Sequence, residues 1–99
     1  MTKKRQILVI GNNTNGCTPE HEKVAYALGA EIAKSGSVLI TGGLGGVMNA
    51  ASHGAHDENG LAVGIIPQDD ATHANEYCDI VIPTGMGFTR DFLNALSAD

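Results

Sequence analysis

Four short apolar runs set the limits on what this 99-residue chain can build. They are Ile7-Leu8-Val9-Ile10, Ser37-Val38-Leu39-Ile40, Leu61-Ala62-Val63-Gly64-Ile65-Ile66 and Asp79-Ile80-Val81-Ile82. Each is continuous rather than alternating, rich in β-branched residues, and closed by Gly, Thr or Pro. Such runs suit strands buried on both faces, the habit of parallel sheets covered by helices. Between the first two, Thr18 is placed as an N-cap, Pro19 at the first helical position, and Glu20 and Glu22 at the positive end of the dipole. The spacing of Val24, Leu28 and Ile32, with Ala25 and Gly29 beside them, predicts the inward face of that helix, which stops at Gly36. A second helix is predicted from Gly46 to about Asp57, with Val47, Met48, Ala51 and Ala55 inward and Gly60 after it. Phe88, Phe92, Leu93 and Leu96 mark a last one.

The order βαβαβ, loop, βα predicts an α/β fold: a Rossmann-like three-layer sandwich with a parallel sheet of about four strands under right-handed crossovers. Residues 1–99 form one domain, since a chain of this length buries one small core and not two. In such sheets ligands sit beyond the carboxyl ends of the strands, where the strand order reverses. With the order 3-2-1-4, that point falls between the first and fourth strands. Residues 11–18 and 83–87 would then face each other across a crevice, with residues 41–46 beside them.

Eleven acidic against six basic residues give a net charge of -5. That balance argues against nucleic acid as a partner, which needs a basic face. Lys3, Lys4 and Arg5 precede an apolar run that ends at Gly11, too short for a signal sequence, and no stretch approaches the roughly 20 apolar residues of a membrane span. Cys17 and Cys78 belong to no Cys-x-x-Cys or Cys/His cluster and fit free thiols in a reducing cytoplasm.

Thr41-Gly42-Gly43-Leu44-Gly45-Gly46 joins a buried strand to a helix. Its four glycines let a phosphate approach backbone N–H groups at a helix N-terminus, although tight strand-to-helix packing also uses glycine. The first loop, Gly11-Asn12-Asn13-Thr14-Asn15-Gly16-Cys17-Thr18, has P-loop spacing with Cys17 where lysine belongs, so no Walker-type triphosphatase is inferred. Its polar residues, Gly11 and Asn12 first among them, suit hydrogen bonding to a small ligand. Neither loop gives the dinucleotide fingerprint G-x-G-x-x-G, since Met48 occupies the last position. Thr84-Gly85-Met86-Gly87-Phe88-Thr89-Arg90 offers backbone donors, a hydroxyl and one guanidinium, a planar charged fork suited to phosphate or carboxylate. Asp69 and Asp70 read as a solvated turn or as ligands for ribose hydroxyls. His53 and His56, with Asp57 next, lack a signalled third partner, so no metal site is assigned. No Ser/His/Asp or Cys/His nucleophile arrangement is legible.

The stretch from Ile40 to Ala51 that contains Gly-Gly-Leu-Gly-Gly-Val-Met, then Val63-Gly64-Ile65-Ile66-Pro67, then Ile82-Pro83-Thr84-Gly85-Met86-Gly87 and Arg90, resembles one family. It is similar to the molybdenum-cofactor-carrier-like proteins, relatives of the "Lonely Guy" phosphoribohydrolases once taken for lysine decarboxylases. The resemblance implies a Rossmann-like, usually dimeric protein that binds a nucleotide-like or phosphorylated small molecule at the strand ends. In the hydrolase relatives an arginine matching Arg90 works with a glutamate in a later P-G-G-x-G-T-x-x-E segment. No such segment stands in this sequence, which resembles the N-terminal part of the family domain, truncated relative to it.

The reading is therefore a small-ligand-binding protein of the cytoplasm, with a nucleotide or the molybdenum cofactor as ligand. Its expected site comprises Gly11, Asn12, Thr41, Gly42, Gly43, Gly45, Gly46, Thr84, Gly85, Met86, Gly87 and Arg90. Two alternatives stand beside it. One is a nucleoside 5'-monophosphate phosphoribohydrolase completed by another subunit, with Arg90 catalytic; the other is a ligand-free truncated oligomer. Self-association as a homodimer is expected through the last helix and the fourth strand.

Overall fold

A computed structural model describes residues 4–11 and 16–86. The chain runs β1 (Gln6–Leu8), α1 (Pro19–Lys34), β2 (Val38–Thr41), α2 (Val47–Asp57), β3 (Ala62–Ile66), a short 3-10 turn (Ala71–His73) and β4 (Ile80–Pro83). The four strands form one parallel sheet. The architecture is Rossmann-like α/β. The expected helix over Phe88, Phe92, Leu93 and Leu96 lies outside the described residues.

Local chemistry accounts for the helix ends. Thr18 caps α1 in extended conformation, its Oγ1 accepting the His21 N–H at 3.2 Å, while the Thr18 N–H donates to His21 Nδ1 at 3.5 Å. This reciprocal capping box uses histidine where glutamate or glutamine is usual. At the other end Gly36 takes φ +78°, the left-handed conformation that releases the chain into β2.

The inward face of α1 is narrower than its periodicity predicts. Ala25, Gly29, Ala30 and Ile32 are buried, whereas Val24 and Leu28 stand 68% and 46% exposed. The reason is the distance of approach to α2. A Cβ on Gly29 would overlap the Ala51 carbonyl oxygen, and one on Gly54 would overlap that of Tyr26. These reciprocal notches bring the two backbones together, so small residues face α2 and the branched ones turn outward. On α2 the buried set is Met48, Ala50, Ala51, Ser52, Gly54 and Ala55.

Period-two alternation and the register divide the sheet into two apolar faces. Leu39 and Ala62, which pair, share a core with Ala25, Ile32, Ala51 and Ala55 and so face the helices. Ile40, Val63, Ile65, Ile80 and Ile82 lie on the opposite face, where Ile40 and Ile65 are 3% exposed. Both faces are thus hydrophobic, as a parallel sheet requires.

The strand order corrects an expectation. It is β1-β2-β3-β4, not 3-2-1-4, so β4 pairs with β3 and lies at the edge remote from β1. The connection after β3 explains this placement. It holds one short turn and no crossover helix, and it is pinned beside its own strand: the Asp79 N–H donates to the Ala62 oxygen and the Ala62 N–H donates to Asp79 Oδ2, both at 2.8 Å. A return past β2 and β1 would give up both bonds. The position of β1 at an edge also explains why it is short and half-buried, with Ile10 outside the strand and 76% exposed.

Candidate functional site

The carboxyl ends of the strands still form one rim, but its members line up in chain order. Gly11 follows β1, the glycine loop follows β2, Asp69 and Asp70 follow β3, and Thr84, Gly85 and Met86 follow β4. Three strand spacings, about 14 Å, separate the first from the last. The crevice expected between the first and fourth strands is therefore absent. Gly11 lies instead against Val47 at the start of α2. Thr84 is held on β3, its Oγ1 donating to the Ile66 oxygen at 2.7 Å, and the Gly85 N–H donates to the Gln68 oxygen at 2.9 Å. Asn12, Gly87 and Arg90 lie outside the described residues.

Within the glycine loop the members have separate tasks. Thr41 is fully buried and its Oγ1 accepts the Gly43 N–H at 3.0 Å. Gly43, at φ +75°, packs on β3, where a Cβ would strike Ile66. Glycine at this position thus has a packing reason, and its N–H is committed to Thr41. Gly46 is the N-cap of α2 at φ 62°, ψ −129°, and no side chain caps the first turn. Helix geometry leaves the N–H groups of that turn without intrahelical acceptors, and the helix dipole makes the spot favourable for an anion.

An open cavity of ≈ 510 Å³ begins at this uncapped end and runs between α1 and α2. Gly45, Gly46 and Asn49 line one side; Glu22, Lys23 and Tyr26 line the other, with His53 on the α2 wall. Its volume suits a small ligand. Lys23 and Glu22 bring opposite charges to the same cavity. Of the expected site residues, the cavity gathers Gly45 and Gly46. Tyr26, Asn49 and His53, which also line it, are not among the expected site residues, since no short-range pattern singles them out for a ligand.

A cluster of rings borders the cavity. His53 stacks on Tyr77 with centroids 4.2 Å apart and planes at 7°, and meets Tyr26 edge-on at 5.2 Å. Asp57 ties the cluster together, accepting from the Tyr26 hydroxyl and lying 3.3 Å from His53 Nε2. The bond to Asp57, followed by partial burial, pushes the Tyr26 hydroxyl above its ordinary pKa; burial first, and then the neighbouring Glu76, does the same for Tyr77. His56 also lies against Tyr77, so both histidines serve a ring cluster. Among the described residues no group of three or more His, Cys, Asp or Glu side chains is placed to hold a metal ion.

The segment between β3 and β4 fastens to the glycine loop through Asn75. Its backbone N–H donates to the Gly43 oxygen at 2.7 Å and its Nδ2 to the Leu44 oxygen at 2.9 Å. Cys78 follows, half-buried and free, with its thiol pushed up by burial and the buried Ser52 hydroxyl working in the opposite sense. Ser52 Oγ makes no hydrogen bond of ordinary length, so its effect on Cys78 is one of proximity.

Fold and rim together define a Rossmann-like α/β domain with a glycine loop opening its second helix. The chain belongs to the SLOG cluster4 family, which it matches over residues 4–99. It is 42% identical to the molybdenum cofactor binding protein from the phototrophic bacterium Rippkaea orientalis, with a TM-score of 0.95 over 100% of this chain and 61% of that one. The molybdenum cofactor carrier protein MCP from Chlamydomonas reinhardtii is 36% identical, with a TM-score of 0.86 over 97% of this chain and 58% of that one. An uncharacterised protein of Archaeoglobus fulgidus is 43% identical over 97 residues, 98% of this chain and 62% of its own length. The chain spans about three-fifths of the length of these relatives. The resemblance to molybdenum-cofactor-carrier-like proteins is borne out. Among the described residues no helix is long and apolar enough to cross a membrane.

Proposed function

We propose that this chain binds a phosphorylated, nucleotide-like small molecule at the glycine loop, and that the ligand is the molybdenum cofactor. The observation that carries the reading is the likeness over the whole chain to a molybdenum cofactor binding protein, at 42% identity and a TM-score of 0.95. The residues present suit the phosphate end of such a ligand. The α2 N-terminus takes no side-chain cap, Gly45 and Gly46 bring no side chain into the cavity, and Lys23 stands across from them. On this reading Gly42, Gly43 and Thr41 shape the loop, Gly45 and Gly46 receive the anion, and Arg90 adds a guanidinium. Gly11, Asn12 and the segment Thr84, Gly85, Met86 and Gly87 complete the rim. The protein acts as a homodimer in the cytoplasm, where its two thiols stay reduced.

Calorimetric titration with inorganic phosphate, a nucleoside monophosphate and isolated molybdenum cofactor tests the proposal. Saturable binding is expected, tightest for the cofactor, and Gly45→Asp abolishes it by placing a carboxylate at the anion position. Equal affinity in the variant removes the loop from the site; no binding to the wild type ends the reading.

A further inference from the structure

We infer that Glu22 and Asn49 read the ring of the ligand, and that the ring they select carries a 2-amino-4-oxopyrimidine edge, as guanine and the pterins do. The inference rests on the reading that the cavity between α1 and α2 takes a nucleotide-like ligand, and it names the ring that the cavity accepts.

The cavity is a product of helix packing. Helices α1 and α2 each connect neighbouring parallel strands, so they run in the same direction. They interlock where Gly29 meets the Ala51 carbonyl and Gly54 meets that of Tyr26. Every lining residue, from Pro19 to Tyr26 on one side and from Gly45 to His53 on the other, precedes that contact along the chain. The cavity is thus the space in which the two helices separate toward their N-termini. At about 1.5 Å per residue, Glu22 and Lys23 stand about 9 to 10 Å before Gly29, and Asn49 about 8 Å before Gly54. The three residues therefore share one level on opposite walls. Asn49 lies one turn past Gly46, so a ring held there leaves the helix end to a phosphate.

Their bonding sets these three apart from the rest of the wall. Tyr26 is engaged by Asp57, and His53 by Asp57, Tyr77 and Tyr26. Among the described residues, the side chains of Glu22, Lys23 and Asn49 make no hydrogen bond or ion pair. A carboxylate offers acceptors only, an ammonium donors only, and an amide both. The complementary ring edge has adjacent N–H and amino donors for Glu22 and a neighbouring oxo acceptor for Asn49 Nδ2 and Lys23. That is the order of groups on a 2-amino-4-oxopyrimidine, and two parallel bonds to one carboxylate give selectivity. An adenine edge instead sets a ring-nitrogen acceptor beside its amino donor, and that nitrogen meets the carboxylate with like polarity.

The test is calorimetric titration of the wild type and Glu22→Gln with GMP and AMP, and with guanosine, adenosine and 6-hydroxymethylpterin, which carry no phosphate. Glu20→Gln, which removes the same charge from the first turn of α1 outside the cavity, is the control. The wild type is expected to bind GMP about tenfold more tightly than AMP, the equivalent of one charge-assisted hydrogen bond. Glu22→Gln lowers GMP affinity about tenfold and leaves that for AMP equal or higher, because glutamine turns a donor toward the ring in place of one acceptor. Glu20→Gln keeps the preference for GMP. Glu22 acting only as a nearby charge has the opposite sign, since its removal then strengthens both nucleotides alike. That result, or equal wild-type affinity for guanine and adenine, overturns the inference. If GMP binds no more tightly than guanosine, the anion reading fails separately, and the preference for guanosine over adenosine still decides the ring. Absence of binding by all five compounds ends both. Guanosine or the pterin binding above adenosine supports the inference, and the tighter of the two identifies the source of the ring.

Discussion

Gly43, in the loop after β2, and Gly64, in β3, meet backbone to backbone: a Cβ on Gly64 would stand 3.0 Å from the Gly43 Cα, and one on Gly43 would stand 3.2 Å from the Gly64 Cα. Cys78 closes the other side, its Sγ 2.7 Å from where the Gly64 Cβ would be. The glycine loop, the third strand and the segment carrying Asn75 thus converge on one point where no side chain fits.

That contact gives a stability contrast between two glycines with similar dihedrals. Gly36 has φ +78° with nothing within 4 Å of a Cβ, whereas Gly43 has φ +75° and is enclosed. Gly36→Ala carries the left-handed strain alone, about 1 kcal/mol. Gly43→Ala adds overpacking and costs about 3 kcal/mol in total. Urea unfolding measures both, and equal losses would mean that the loop yields freely.

Gly29 and Gly54 act as a pair. Each alanine substitution meets a backbone oxygen that cannot swing aside. Gly29→Ala and Gly54→Ala each cost about 2 kcal/mol, and the double variant costs less than the sum, since the first separates the helices and makes room for the second. A double-mutant cycle with strict additivity contradicts this packing.

Asp70 caps the 3-10 turn through the Thr72 N–H at 2.9 Å and the Thr72 hydroxyl at 2.8 Å, and these bonds hold its carboxyl below the usual range. A carboxylate with a lowered folded pKa contributes above its unfolded value and loses that contribution as pH falls through the folded one. The turn is therefore expected to fray only in acid more extreme than ordinary aspartate titration requires. The Thr72 amide resonance reports it, and Asp70→Ala shows the frayed state at neutral pH.

Burial raises the Cys78 thiol, so the protonated form is favoured on folding. The sign is opposite to that of Asp70: this contribution is complete below the ordinary cysteine pKa and is lost as pH rises through that range and beyond. Alkylation of Cys78 near pH 8 is expected to run slower in the folded chain than in urea. Ser52→Ala slows it further by removing the hydroxyl that favours the thiolate, and an accelerated reaction would contradict that arrangement.

Ile80 and Ile82 alternate onto one face of β4, the last strand of the sheet among the described residues, and are 46% and 45% exposed. An apolar edge of this kind favours pairing with a second copy. Sedimentation of the 99-residue chain at micromolar concentration is expected to show a dimer, which Ile82→Lys dissociates and Lys34→Asp does not. A monomeric wild type removes the proposal.

Sequence alone determined the elements, because each depends on neighbours along the chain. The β-branched runs at residues 38–41, 62–66 and 80–83 became strands, Thr18 and Pro19 began α1, and the glycines at 42–46 opened α2. Tertiary structure decided how these pieces were arranged. The order β1-β2-β3-β4 depends on Asp79 pairing with Ala62, seventeen residues away, and no periodicity announces such a bond. The outward turn of Val24 and Leu28 depends on how closely two glycines let the helices approach. Asn75 lies in a polar, aperiodic stretch and looks like any loop asparagine until folding sets it against the Leu44 carbonyl. Local preference is written in short-range patterns, whereas a contact between distant residues is defined only once the backbone has brought them within hydrogen-bonding distance.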